Sequence, residues 1–250
     1  HQAVNAEAHL EYLKGRHTYS ALSPQAVELS ERHYRRALEL DPTFAPAWAG
    51  VADCHFTRAS RGMSPPAEAS ALAKSAALKA LELDESVPEA HAALGAVLCS
   101  ERNLRGGIRS LERAIELSPG LAMAHSWLGR AYYCSERHPE AQKAMLTAVS
   151  LDPLSMIIHT TVGDACYYAR EFEKSVVYYR MAIELDPRFD GAHTDLARSL
   201  IAAASRHQSP ASPFPTSRCG PLALSNEARI SCTRRDVAGR SVLVTGGAGS

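Results

Sequence analysis

A chain of 250 residues, 46% of them hydrophobic, can bury one large domain or two small ones. Its 27 basic and 27 acidic residues cancel, which argues against a dedicated nucleic-acid or anionic-membrane surface. No stretch approaches the ~20 apolar residues of a membrane span, and the six cysteines, none in a C-x-x-C pair, read as free thiols of a reducing compartment, which points to the cytoplasm.

The chain opens with His1, not Met, and without a signal peptide, so it reads as part of something longer. "AEAHLEYLKGR" begins a loose helical unit. Five segments then line up: "ALELDPTFAPAWAGVAD", "ALELDESVPEAHAALGA", "AIELSPGLAMAHSWLGR", "AVSLDPLSMIIHTTVGD" and "AIELDPRFDGAHTDLAR". Their leading alanines, Ala37, Ala80, Ala114, Ala148 and Ala182, are spaced by 43, 34, 34 and 34 residues. A constant 34-residue step predicts helix–turn–helix units stacked into a solenoid.

Residues 122–155 show the physics of one unit. Trp127, Leu128, Ala131 and Tyr132 recur at helical spacing in "AMAHSWLGRAYYCSER". The second helix, "HPEAQKAMLTAVSL", carries one apolar stripe of Ala141, Ala144, Met145, Ala148 and Leu151. Pro139 suits a first helical turn, where its missing N–H has no partner to lose. Asp152-Pro153 ends the unit, because proline disfavours helical geometry in the residue before it. Gly129 and Ala148 are small enough to let the paired helices approach. Neither helix can bury its stripe alone, so the core exists only in the stack.

After "DGAHTDLARSLIAAAS" no second helix is legible. Pro210, Pro213, Pro215 and Pro221 follow, so residues 205–240 are predicted as a disordered tail rich in Pro, Ser and Arg. The array is thus expected over 5–204, about five repeats with the last incomplete. Its uncapped end, with Leu196 and Leu200 or Ile201 uncovered, is expected to allow self-association.

The repeat resembles the tetratricopeptide (TPR) family. The resemblance rests on Gly95, Gly129, Gly163 and Ala197, on Ala114, Ala148 and Ala182, and on Pro119, Pro153 and Pro187. It implies an all-α, right-handed superhelical solenoid of stacked antiparallel helix pairs. Two departures stand out. The second repeat carries nine extra residues around "SRGMSPPAEAS", with Glu85 in place of proline, and Gly15 and Pro42 lie three residues too far apart. The "EYLKGR" opening and the "PPAEA" insertion are similar to TPR arrays of multidomain bacterial regulators, whose effector is a winged-helix DNA-binding, kinase or nucleotide cyclase domain.

The resemblance also implies a concave groove lined by the first helix of each repeat, where a protein or peptide partner docks. Mapped here, the groove residues are Asp53, Phe56, Thr57, Ala96, Cys99, Ser100, Ser126, Arg130, Tyr133, Cys134, Thr160, Asp164, Tyr167, Tyr168, Thr194, Arg198 and Ile201. The strongest candidates are the tyrosines at 133, 167 and 168 and the alternating charges Arg130, Asp164 and Arg198. Tyr and Arg dominate interface hot spots because they bury large area and keep a polar handle. The competing expectation is that Asp164 merely pairs with both arginines.

Three temptations toward chemistry are weak. "VLVTGGAG" resembles the first strand and glycine loop of nucleoside-diphosphate-sugar epimerases, but residues 241–250 stop before the helix that would hold the phosphates. His91, His125, His159 and His193 recur at 34 residues. Equivalent positions sit about 8–10 Å apart, too far for one metal whose ligands lie ~2 Å away, so they are read as packing residues. The cysteines have no fixed His or Asp neighbour. No catalytic residue, cofactor or metal is expected, and no nucleic-acid or membrane contact by this chain.

Overall fold

The computed structural model describes residues 5–208, together with the short pairs 234–235 and 241–242. Eleven helices follow one another among the described residues: α1 Ala6–Tyr19, α2 Pro24–Leu40, α3 Ala45–Ser60, α4 Pro66–Leu83, α5 Pro88–Ser100, α6 Leu104–Leu117, α7 Ala122–Cys134, α8 His138–Leu151, α9 Met156–Tyr168, α10 Phe172–Leu185 and α11 Asp190–Gln208. Odd and even helices pair antiparallel, and the pairs stack into a right-handed superhelical solenoid.

The boundaries have local causes. Asn5, Ser23, Asn103 and Ser155 cap α1, α2, α6 and α9, each side chain accepting a first-turn amide. At Asp41, Asp84 and Asp186 the chain leaves the helix, and each carboxylate accepts the amide two residues on. The turns inside the helix pairs each hold a residue with positive φ: Leu22, Gly62, Arg102, Glu136 and Arg170.

The departures from the 34-residue period are absorbed without breaking the stack. Helix α3 has 16 residues against 13 in α5, and α4 has 18 against 14 in α6. A turn two residues longer accounts for the rest of the insertion. The first repeat takes its three extra residues in α2, which has 17.

Small residues let the paired helices close up. An added Cβ at Gly129 would lie 2.6 Å from Met145 Cγ, at Gly95 2.6 Å from Leu111 Cγ, and at Gly163 2.8 Å from the Tyr179 ring. Ala37, Ala80, Ala114, Ala148 and Ala182, the alanines that set the period, are all fully buried.

Helix α11 is described to Gln208, four residues past 204. The rest of the expected tail, from 209 on, lies outside the described residues apart from the two short pairs. In those, Ser241–Val242 pairs antiparallel with Arg234–Arg235. The glycine loop after it is not described.

Candidate functional site: the concave face

The odd-numbered helices carry the candidate residues. On α7, Trp127, Arg130, Ala131 and Cys134 share one face and line, with Ala96, Cys99 and Leu104, a cavity of about 20 Å³. This face keeps Arg130 and Cys134 of the expected set but holds Trp127 and Ala131 in place of Ser126 and Tyr133. Ser126 is fully buried and its hydroxyl has no partner, so its assignment to the groove is corrected. Trp127, read from the sequence only as part of an apolar stripe, takes its place.

Trp127 also changes the first half of the groove. Its ring meets Phe56 of α3 edge to face, with centroids 5.2 Å apart, over Ala96 and Val97 of the intervening pair. Small residues on α5 leave room for this contact between pairs two steps apart. Phe56 is only 6% exposed, and Thr57 is buried beside it. Both assignments are therefore corrected: neither side chain offers a partner much surface. Asp53 is half-buried nearby. Loss of surrounding water pushes its carboxyl up to about 7; Glu89 adds to the shift and Arg16 opposes it.

The second half is open. Tyr168 is 44% exposed, and its ring meets Tyr167 at 5.5 Å. Arg198 of α11 lies 4.4 Å over the Tyr167 ring, and Arg130 lies 5.6 Å over Trp127. Burial raises the Tyr168 hydroxyl pKa, reinforced by Asp164 and offset by Arg198 and Arg130. Thr160 turns its hydroxyl back to the Met156 carbonyl, 2.8 Å away. Tyr133 packs instead at the edge of the Met145, Ile158, Val162 and Ala165 cluster, 5.1 Å from His138.

The alternating charges resolve asymmetrically. Asp164 accepts from the Tyr179 hydroxyl at 2.7 Å and lies 3.6 Å from Arg198, which also meets Asp195 at 3.2 Å. Arg130 has no carboxylate partner among the described residues. Of the pairing expected between Asp164 and the two arginines, the structure shows the one with Arg198.

The histidine ladder has a local explanation. Nε2 of His91, His125, His159 and His193 lies 2.8–2.9 Å from the carbonyl six residues earlier, which can only accept, so each ring donates there. Trp48 makes the same bond from its indole N–H to Pro42, at 3.1 Å. The ladder ties each odd helix from α3 to α11 to the turn before it. Sequence reading saw the period but not the bond; a ring N–H six residues after the turn was the signal. No cluster of three or more metal-ligating side chains exists among the described residues.

Burial pushes the Cys99 and Cys166 thiols up to about 11, opposite to an activated nucleophile. In the basic run of α2, Arg32 pairs with Glu28, Arg35 with Glu31 and Arg36 with Glu39. None of the described helices is long and apolar enough to cross a membrane.

The geometry is that of a tetratricopeptide-repeat solenoid, and comparison with solved structures shows that fold. A thermophilic TPR protein of Thermus thermophilus, TTC0263, superposes with a TM-score of 0.60 at 15% identity, over 78% of this chain and 99% of that one. A monomeric mutant of IFIT1 in complex with m7Gppp-AAAA superposes with a TM-score of 0.69 at 16% identity, over 80% of this chain and 48% of that one. Among curated proteins, the transcriptional regulator HilA of Salmonella typhimurium is 27% identical over 86 residues, which are 34% of this chain and 16% of that regulator. No protein-family model matches the chain. None of these comparisons supports the epimerase resemblance of residues 241–250.

Proposed function

We propose that the chain is a protein-interaction scaffold that holds a peptide segment of a partner on the concave face of α7, α9 and α11. The observation that carries this reading is Arg130: a groove cation without a carboxylate partner among the described residues, laid on Trp127 and within electrostatic reach of the Tyr168 hydroxyl. A peptide side chain buried against Tyr167 and Tyr168, with an acidic group on Arg130, satisfies both features. Asp53, at the blocked end, borders this site rather than forming it. The reading needs no cofactor and no catalytic step. Asp164 and Asp195 offset Arg198, so the face lacks the excess positive charge that a phosphate backbone requires.

The test is a quantitative pull-down with the full chain as bait. Tyr167→Ala combined with Tyr168→Ala should keep the helical signal and weaken capture of specific partners by ~2 kcal/mol or more. Capture equal to that of the unaltered chain contradicts the assignment.

A second reading is favoured by the match to HilA: the array is the sensory or oligomerising part of a larger bacterial regulator whose effector lies outside these residues. The two are compatible, since a groove can receive the signal that an effector reports. The reading of residues 241–250 as the start of an epimerase-like domain stands only on their sequence, and titration with NAD tests it.

A further inference from the structure

Leu22 breaks the pattern of its own turn. The other four turns place Gly62, Arg102, Glu136 or Arg170 at the left-handed position, and none of these is buried. Leu22 has φ of 51°, where a branched side chain is strained. Yet it is only 4% exposed. Its burial comes from the far end of the solenoid, where it forms one apolar cluster with Met156, Ala182 and Ala192. A second contact closes the same gap: the Arg61 guanidinium, at the turn of the next pair, lies 4.5 Å over the Phe189 ring between α10 and α11. Tyr19 braces this side, its hydroxyl donating to the Asp53 carbonyl at 3.2 Å and lying 2.5 Å from Thr57 Oγ1.

We propose that Leu22 and Arg61 form a clasp that holds the first two helix pairs against the turn at Phe189, closes the solenoid on itself in the unbound chain, and limits how far the concave face can widen around a partner. The second part rests on the docking reading above; the first does not. A solenoid whose pairs touch only their neighbours is set by small rotations at each junction. A contact between its ends is a separate, breakable constraint. The left-handed φ is common to all five turns and does not depend on the clasp, so closure rests on burial of the Leu22 side chain and on the Arg61–Phe189 contact, and a ligand that binds the open form better shifts the balance toward it.

The test compares the full chain with Leu22→Gly, which removes both the strain and the side chain, and with Phe189→Ala, which reaches the same clasp from the other side. Each variant should keep the far-UV circular dichroism of the unaltered chain and show a longer maximum dimension in small-angle scattering. Cys99 and Cys134, on the concave face, should then react several-fold faster with a bulky fluorescein maleimide, mapped by peptide mass spectrometry, while Cys54 stays protected. Equal dimensions in all three proteins overturn the clasp. Longer variants with unchanged thiol rates overturn the limit on the concave face. Neither result bears on the tyrosine substitutions, which test the docking face itself.

Discussion

Gly163→Ala tests how the helix pairs fix the groove. An added Cβ would sit 2.8 Å from Tyr179 Cε1 and 3.0 Å from Cδ1 and Cζ, well inside ordinary contact. Tyr179 cannot easily retreat: its side chain is fully buried, and its hydroxyl holds Asp164 at 2.7 Å. Overpacking of this kind costs about 1–3 kcal/mol. Pulling the hydroxyl off Asp164 costs about 1 kcal/mol more. Alanine in a helix returns up to about 1 kcal/mol of propensity. The net expectation is a loss of about 1–3 kcal/mol, read from the midpoint of chemical unfolding. Because Asp164 also meets Arg198, the loss should couple to Tyr179→Phe in a double-mutant cycle. A neutral or stabilised Gly163→Ala would mean that propensity alone governs the site, and the close-approach account of the glycine positions would fail.

Asp53→Asn should change the pH dependence of stability. A carboxyl raised on folding favours the folded chain while protonated, so its contribution is full below about 4 and is lost as pH rises to about 7. The Asn variant should show a flatter profile over that window and exceed the parent by about 1 kcal/mol or more at pH 8; parallel profiles contradict the assignment. Trp127→Ala uncovers Phe56, Ala96 and Val97 and, from a half-buried start, should cost about 2–3 kcal/mol in unfolding. Glu31→Gln should destabilise by about 1–2 kcal/mol, because Arg35 and Arg58 both bond to that carboxylate, with His55 at 3.6 Å. Arg130→Glu should leave the fold intact and abolish capture of an acidic partner segment; retained capture would move the docking site elsewhere.

The stack was legible because its physics is periodic. A 34-residue step in Ala and Gly positions marks where paired helices touch, and Asp-Pro marks where they end. The insertion was legible in size, but its distribution among α3, the turn and α4 was not. The groove was harder. Position within the repeat alone places Ser126 and Phe56 on an open surface. Trp127 overrides that, because Ala96 on the neighbouring pair leaves a gap a large ring can cross. The charge series showed the same limit: sequence gave Arg130, Asp164 and Arg198 in register, but only packing brought Tyr179 and Asp195 in to take up Asp164 and Arg198. The cluster that joins Leu22 to Met156, Ala182 and Ala192 spans most of the chain, and no local pattern encodes it.

Hydrogen–deuterium exchange of the chain, with and without a partner captured in the pull-down, most directly probes the central claim. Docking on the concave face predicts new protection concentrated in residues 127–134 and 160–168, with α8 and the outer side of α10 unchanged. Protection confined to those outer helices, with none at Arg130, Tyr167 or Tyr168, would contradict it.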